Sequence, residues 1–260
     1  MIECENNNGP KISVVMSVYN GEEFLQESVE SILNQTFTDF EFIIINDGST
    51  DSTPKILEEY AARDKRIVLI QQENMGLTRS LNKGIKVARG KFIARHDADD
   101  ISFINRLEKL YFIARQTGSD IVGSQAYSYI NNKFKINPKT EYLENISLSR
   151  LKFGNIFVHG TLFFKSKLLK QYMYDEEFRY AQDYELVTRL LKSNKSIYII
   201  NDVLYFLRIS DESISNIKKD KQIRCAKLIC KKHFGTTLFL IPGKNIFFRA
   251  LLISLRKLTR

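Results

Sequence analysis

The chain has 260 residues, a length that suits one large domain or one domain with a small appendage. Its 43% hydrophobic residues suffice for a sizeable core, which excludes a wholly disordered chain. Three cysteines, Cys4, Cys225 and Cys230, form neither a disulfide framework nor a zinc-binding spacing. We therefore expect reduced thiols in an intracellular protein.

Charge is distributed unevenly along the chain. The net charge is +9, yet residues 218–260 hold 12 Lys and Arg against one Asp, so the first 217 residues carry a net charge of −2. A nucleic-acid-binding core would itself be basic, and this one is not. Residues 1–10 form a polar lead without the features of a signal peptide, and no apolar run reaches the roughly 18 residues of a membrane span. We expect neither secretion by the usual route nor an integral membrane protein.

Strand and helix patterns alternate through the first hundred residues. Four short apolar runs predict buried strands: 12–18, 41–46, 66–71 and 91–95. Amphipathic helices are predicted between them: 24–33, 53–61 and 77–88. This β-α series predicts an α/β fold, a mostly parallel sheet with helices on both faces. Ligands of such folds bind at the carboxyl ends of the strands.

The second half of the chain has a weaker pattern. A helix is predicted from about 101 to 116, with Ile104, Leu107, Tyr111 and Ala114 facing inward. Short strands and loops are expected over 120–164. The remaining predicted elements are a helix at 183–192, strands at 196–200 and 203–208, and helical segments at 218–234 and 245–258.

The most informative polar stretch follows the fourth predicted strand. Asp97, Asp99 and Asp100 lie within four residues, and their charges repel unless a cation or hydrogen-bond donors balance them. Hard divalent cations such as Mg²⁺ and Mn²⁺ prefer carboxylate oxygens and are often shared with substrate phosphates. The alternative is an acidic loop at a helix start, with Asp100 as the helix cap.

Three further polar stretches each have a structural alternative. Residues 46–51 after the second strand suit an ordinary β-α turn. Gly76 permits a sharp turn, and Arg79 behind it is either a surface charge or a donor to a carbonyl or phosphate. Asp183 is either a helix N-cap or a general base. A lone histidine such as His159 is more often structural than catalytic.

In their order and spacing these stretches resemble the inverting nucleotide-sugar glycosyltransferases of glycosyltransferase family 2, which have the GT-A fold. The resemblance covers residues 10 to 210. The matching segments are 13–22 (SVVMSVYNGE), 46–51 (NDGSTD), 74–84 (NMGLTRSLNKG), 97–100 (DADD) and 182–186 (QDYEL). The combination is specific for the family and says little about the substrate.

The resemblance implies a role for individual residues. Nucleotide-binding positions are taken by a set of five: Tyr19, Glu22, Asp47, Arg79 and Asp97. Asp99 would hold a divalent metal, Mn²⁺ or Mg²⁺, and Asp183 would be the catalytic base. The implied division is a polar lead (1–10), a GT-A domain (11–217, with a nucleotide-binding half to residue 100 and an acceptor half after it) and a basic amphipathic helical tail (218–260).

Two positions depart from the family pattern. Gln182 replaces the glutamate often found before the catalytic aspartate, keeping an amide but losing a charge. Many relatives carry a Tyr-Arg-x-His segment after the late strands, whose histidine can reach the metal. Here Arg208 is kept and Ser210 stands at the histidine position, so a metal would have one protein ligand fewer.

The tail has the pattern of an interfacial helix. Five apolar residues share one face of a helix from Ile246: Phe247, Phe248, Leu251, Leu255 and Leu258. Arg249, Arg256 and Arg260 lie on the opposite side. We expect a cytoplasmic enzyme, peripheral on the inner face of the membrane, where its acceptor is attached to a lipid carrier. The alternative is a helix packed on the catalytic domain with a solvated basic edge.

The combined hypothesis is a metal-dependent inverting enzyme of surface polysaccharide or cell-envelope glycan synthesis. It would transfer sugar from a nucleoside-diphosphate donor, a UDP-sugar, to a glycan or lipid-linked glycan, with no nucleic-acid partner. A nucleotidyltransferase would carry a basic Gly-rich loop after the first strand, where residues 19–23 are acidic. A non-catalytic protein that keeps the fold is the other alternative, which Gln182 and Ser210 leave open.

Overall fold

A nine-stranded sheet is the framework of the residues that the computed structural model describes, which are 9–130, 133–138, 146–209 and 219–236. Its first four strands are β1 (Ile12–Val18), β2 (Phe40–Asp47), β3 (Ile67–Gln72) and β4 (Phe92–Arg95). They lie in the order β3-β2-β1-β4 and are all parallel. The connecting helices are α1 (Leu25–Leu33), α2 (Thr53–Arg63) and α3 (Leu77–Val87). The predicted β-α series is confirmed.

The second half extends this sheet with antiparallel and parallel strands. Its strands are β5 (Ile101–Ser102), β6 (Ile121–Ile130), β7 (Lys133–Asn137), β8 (Phe163–Lys165) and β9 (Ile197–Leu207). Its helices are α4 (Arg106–Thr117), α5 (Leu148–Leu151), α6 (Ser166–Tyr172), α7 (Gln182–Lys192) and α8 (Lys219–Phe234). Strand β8 lies antiparallel between β4 and β6, and β6 runs parallel to β9.

Two hydrophobic cores lie on opposite faces of the sheet. Alternation along β1 divides them, because Val14 and Met16 face one side and Val15 faces the other. The first core receives Leu25 of α1, and the second receives Leu186 of α7. Helices therefore cover both faces of the sheet, and its loops are left at the ends.

Several boundaries in the second half differ from the sequence predictions. Helix α4 begins at Arg106 because Ile101 and Ser102 pair with β9 instead of starting the helix. Ile104, predicted inward, is 61% exposed because it precedes the helix. The two short strands predicted near 196–208 are one strand, β9. Its polar centre coincides with a shift in the register of its pairing with β6, and Asp202 there forms an ion pair with Lys109 of α4.

Helix α8 confirms the first helical segment predicted for the tail. It packs against α7, with Ile229 and Cys230 buried in the same core as Leu186. The segment predicted at 245–258 lies outside the described residues. Among the helices that the structure describes, none is long and apolar enough to cross a bilayer.

Candidate active site

The loops that follow β1 and β2 are tied to each other by hydrogen bonds. The Asn20 amide donates to Ser49 Oγ over 2.9 Å, and the Thr50 amide donates to Asn20 Oδ1 over 2.8 Å. Glu22, an expected nucleotide contact, accepts the Ser52 amide on Oε2 over 2.8 Å. Tyr19, another expected contact, is 53% exposed directly after β1. Both residues lie at the carboxyl end of the sheet, where the fold predicts a ligand.

Asp47, the last residue of β2, is buried and holds the loop after β3. Its Oδ1 accepts the Met75 amide over 2.8 Å and Gln72 Nε2 over 2.7 Å, and its Oδ2 accepts the Gly76 amide over 2.8 Å. The next residue, Gly48, has a φ of +75°. A Cβ there would lie 2.7 Å from the amide nitrogen of Asn74. Close contact between these loops therefore requires glycine.

Arg79 lies in the first turn of α3 and is half-exposed. Its Nε lies 3.1 Å from Oε2 of Glu176, in the segment that precedes α7. The structure thus brings this expected nucleotide contact to the boundary between the two halves of the protein.

Asp97 and Asp99 follow β4 and have opposite electrostatic environments. Burial favours the neutral form of Asp97, but the charge of its ion-pair partner Arg95, together with smaller contributions from other neighbouring groups, outweighs burial and lowers its pKa below the ordinary value. For Asp99, burial and then the charge of Asp97 raise the pKa to about 6. Asp97 is thus the carboxylate most stabilised in its charged form, and Asp99 is the one that a cation would stabilise.

Asp100 does not cap the next helix. The interpretation of Asp100 as a helix cap is therefore wrong. Asp100 is buried, and its Oδ1 accepts the Arg208 amide from the end of β9 over 2.8 Å. The Arg208 guanidinium donates to the Asp99 carbonyl over 2.9 Å. Burial, with the charges of Asp97 and Asp99, raises the pKa of Asp100 well above its ordinary value. Ser210, the residue at the family's histidine position, lies outside the described residues.

A buried polar layer supports the acidic loop from below. The Arg106 guanidinium donates to the carbonyls of Arg95 and Gly160 over 2.7 Å each. The Asp97 amide donates to Tyr205 Oη over 3.0 Å. His96 contacts the same hydroxyl over 3.2 Å, and burial lowers the pKa of His96 to about 3, so it is neutral. These hydrogen bonds fix the direction of the loop, although Nε of Arg95 and Nε of Arg106 have no partner among the described residues.

Asp183 lies in the first turn of α7, close enough to Asp97 for their charges to interact. Burial, with the charge of Asp97, raises the pKa of Asp183. Asn155 opposes this shift by donating from Nδ2 to Asp183 Oδ2 over 2.5 Å. The amide group of Asn155 is itself held, because its Oδ1 accepts the Phe157 amide over 3.0 Å. Asp183 is thus a desolvated carboxylate with one oriented oxygen.

His159 lies beside this site in a 3-10 turn, His159–Thr161. Its Nε2 is 2.6 Å from the hydroxyl of the buried Tyr174. Burial, with a smaller contribution from the charge of Arg95, lowers the pKa of His159 to about 3. Its hydrogen bond and neutral state favour a structural role for this histidine over a catalytic one.

Sequence reasoning missed four residues of the site: Arg95, Arg106, Asn155 and Tyr205. Arg95 carried a signal, because it is a charged residue at the end of a predicted buried strand, whereas Arg106 lies inside the helix predicted at 101–116, where an arginine is ordinary. Asn155 and Tyr205 carried none, since each contacts residues that are distant in sequence.

The donor set of the acidic loop fits a hard divalent cation. Asp97 and Asp99 are carboxylates, and a cation beside them would reverse the unfavourable charging of Asp99. Within the described ranges no group of three or more His, Cys, Asp or Glu forms a metal site. Mg²⁺ bound by one or two carboxylates commonly shares its remaining coordination with substrate phosphates and water.

The family model and the relatives that match this chain all point to the same family. The family model described as Glycosyl transferase family 2 matches residues 13–178. The uncharacterized glycosyltransferase MJ1057 of Methanocaldococcus jannaschii is 36% identical, over 95% of this chain and 88% of that relative. The putative glycosyltransferase EpsE of Bacillus subtilis is 35% identical, over 78% of this chain and 74% of that relative.

Two solved structures share the fold. Residues 1–349 of S. aureus TarS, in complex with UDP-GlcNAc, superpose with a TM-score of 0.70 at 22% identity, over 85% of this chain and 65% of that one. The mannosyltransferase PcManGT from Pyrobaculum calidifontis, in complex with GDP-Man and Mn²⁺, superposes with a TM-score of 0.69 at 17% identity, over 86% and 64%. This chain spans about two thirds of each of these structures.

Proposed function

Because this chain belongs to glycosyltransferase family 2 and has the GT-A fold, we propose that it transfers a sugar from a nucleoside-diphosphate donor to an acceptor hydroxyl with inversion. One observation carries the proposal. Asp97 and Asp99 stand at the carboxyl end of β4, and Asp183 lies close enough for the charge of Asp97 to raise its pKa. A diphosphate site and a base thus meet in one place.

Asp183 is the general base of the proposed reaction. One carboxylate oxygen is held by Asn155, and the second oxygen would accept the proton of the acceptor hydroxyl. Its pKa is raised by burial, which makes it a stronger base than an exposed aspartate. As the acceptor oxygen bonds to the anomeric carbon, its proton passes to Asp183. The bond from that carbon to the diphosphate breaks, and the electron pair leaves with the diphosphate. A single displacement of this kind inverts the anomeric centre.

The donor half orients the leaving nucleotide. Tyr19, Glu22 and Asp47 stand at the ends of β1 and β2 for the base and ribose, and Asp97 stands at the end of β4. A bound Mn²⁺ or Mg²⁺ at Asp99 would supply positive charge for the departing diphosphate.

A UDP-sugar donor and a glycan or lipid-linked glycan acceptor are the substrates we propose. TarS has been crystallised with UDP-GlcNAc. PcManGT binds GDP-Man, so both nucleotide classes occur on this fold. We also propose that the basic tail places the enzyme on the inner face of the membrane, where a lipid-linked acceptor would be found.

A binding screen tests the donor site first. UDP, dTDP, GDP and CDP are titrated into the protein by calorimetry, each with Mn²⁺ and with EDTA. We expect one nucleotide, UDP, to bind more tightly with Mn²⁺. If a protein shown to be folded binds none of the four, the non-catalytic alternative is favoured.

The base is tested by Asp183→Asn. This variant should lose nearly all transfer while its affinity for the selected nucleotide stays within about twofold, because the base acts on the acceptor and not on the donor. Asp39→Asn is the matched control, since Asp39 precedes β2 at the opposite end of the strand and pairs with Lys11. Full transfer by Asp183→Asn would remove Asp183 from the role of base.

A further inference from the structure

The segment that leads into α7, the catalytic helix that carries Asp183, has a strained backbone at both ends. Residues 174–181, called the strap, join α6 to α7 and end two residues before Asp183. Met173 before the strap and Ala181 at its end have φ angles of +48° and +57°. Non-glycine residues rarely adopt this region, so neighbouring contacts must hold the strap in place.

One side of the strap is held by α3. Asn82 donates from Nδ2 to the Tyr174 carbonyl and accepts the Tyr174 amide on Oδ1, each over 2.9 Å. Thr78 Oγ1 donates to the Phe178 carbonyl over 3.1 Å. Helix α3 follows the loop that Asp47 holds, so this side connects the strap to the donor half.

The other side of the strap is held by α8. Lys232 Nζ lies 2.9 Å from Asp175 Oδ2 and 5.0 Å from the centre of the Phe178 ring. The hydrogen bond to Asp175 raises the pKa of Lys232, and the same bond lowers the pKa of Asp175 against the effect of burial. One side chain of α8 thus contacts two strap residues.

Helix α8 also contacts the residues of α7 that directly follow Asp183. The Tyr184 hydroxyl lies 3.1 Å from Cys230 Sγ, and His233 Nε2 lies 3.3 Å from Oε1 of the buried Glu185. These two residues of α7 immediately follow Asp183. The strap and the first turn of the catalytic helix are therefore both fixed from α8.

From these contacts we infer that α8 is a positioning element for catalysis, in which Lys232 holds the strap and thereby sets the place of Asp183 relative to the donor site. The inference rests on the proposed function and adds to it a role for the basic region of the chain. Lys232 touches no reacting group, so it is a positioning residue.

Adjacent lysines provide a matched test. Lys232→Met removes the ammonium but keeps an unbranched apolar side chain, and Lys231→Met makes the same change at the exposed neighbour. The release of nucleotide is measured for both variants, with sugar derivatives of the nucleotide that the binding screen selects as substrates. We expect Lys232→Met to lower kcat about three- to tenfold with an unchanged KM and nucleotide Kd, and Lys231→Met to have no such effect. Lys232→Arg should restore most of kcat, because the ion pair can re-form.

Hydrogen exchange separates this inference from the proposed function, since it needs no turnover. Amides of residues 174–181 should exchange several-fold faster in Lys232→Met than in Lys231→Met, and Asp175→Asn should reproduce the increase. Equal exchange in the two lysine variants would overturn the inference even if transfer is observed. Faster exchange in Lys232→Met than in Lys231→Met, combined with no sugar transfer by the wild-type protein, would contradict the proposed function but support the role of Lys232 in holding the strap. Equal losses of kcat in Lys231→Met and Lys232→Met would also overturn the inference.

Discussion

Asp99 shows how a binding residue can cost stability. Burial and the charge of Asp97 raise its pKa to about 6, well above the ordinary value for an aspartate. The folded state therefore disfavours the carboxylate, and this penalty is full above pH 6 and absent below about pH 4. A cation at the acidic loop would remove the penalty, so the residue is best explained by a ligand.

We predict that Asp99→Asn stabilises the metal-free protein. In EDTA at pH 7.5 the gain should be about 1 kcal/mol after allowance for solvent, or about 2–4 °C in Tm. The difference from wild type should shrink as the pH falls through 6, because the wild-type carboxyl becomes protonated. Thermal unfolding across pH 4–8 measures this. Asp202→Asn, which removes an exposed partner of Lys109, is the control. An unchanged or lower Tm for Asp99→Asn, with an unchanged effect of Mn²⁺ on nucleotide affinity, would contradict the assignment.

Asn155 modulates the proposed general base, Asp183. Its amide donates to Asp183 and lowers a pKa that burial raises. Asn155→Ala should therefore raise that pKa further and reduce kcat roughly five- to tenfold near neutral pH, since a hydrogen bond to a charged group contributes about 1.5–3 kcal/mol when buried and less when exposed. The acid limb of the kcat profile should move to higher pH.

The comparison variant for Asn155 is Asn155→Asp, which places a second carboxylate beside Asp183. It should move the acid limb to still higher pH than Asn155→Ala, because a like charge disfavours ionisation. Acid limbs that coincide for wild type and both variants would show that Asn155 does not contact the catalytic carboxylate in solution.

At the scale of elements, local patterns were enough for the first half of the sheet. Each strand from β1 to β3 is a short apolar run followed by an amphipathic helix, so both signals lie within one window of sequence. The second half depends on distant pairing. Strand β9 continues past Asn201 and Asp202 because β6 pairs with it on both sides of them, at Ile199 and Val203, from about 75 residues earlier in the chain.

In the candidate site, too, local motifs could be predicted and contacts between distant segments could not. Asp97, Asp99 and Asp183 could be selected from motifs, because each motif is local. The partner of Asp100 is Arg208, and the residue that orients Asp183 is Asn155. Sequence periodicity gives no information on such pairs. It did place α8, but it did not show that α8 holds the strap.

Two glycines, one after β2 and one at the end of α4, make a matched test of loop geometry. Gly48 and Gly118 both have a positive φ, at +75° and +65°, so alanine at either position costs about 1–2 kcal/mol of backbone strain. Only at Gly48 would a Cβ also meet the Asn74 amide, whereas nothing lies within 4 Å at Gly118. Gly48→Ala should lower Tm more than Gly118→Ala and should alone weaken nucleotide binding. Equal Tm losses with equal nucleotide Kd values would show that the loops around Asp47 do not need this close contact.

For the whole molecule, the uneven charge predicts one orientation at a surface. Lys and Arg are concentrated after residue 217, and α8, which begins this region, is fixed to the catalytic helix α7. A bilayer that attracted the basic region would thus hold Asp183 at a defined side of the protein. This geometry suits an acceptor that is itself attached to lipid.

Removing residues 237–260 tests this orientation without removing α8. That segment carries five basic residues, and a Lys or Arg near an anionic leaflet contributes about 1 kcal/mol. We predict that the full chain co-sediments with phosphatidylglycerol vesicles and that a chain ending at Thr236 does so at least tenfold more weakly. Binding of the full chain should decrease, but not vanish, in 0.5 M NaCl, because salt screens the charges of the arginines and not the apolar side chains of Phe247 and Leu251. Arg249→Gln combined with Arg256→Gln should lower vesicle binding while nucleotide affinity stays unchanged. Equal sedimentation of the full and shortened chains would place any docking on α8 instead, and equal binding to phosphatidylcholine vesicles would remove the electrostatic basis of the orientation.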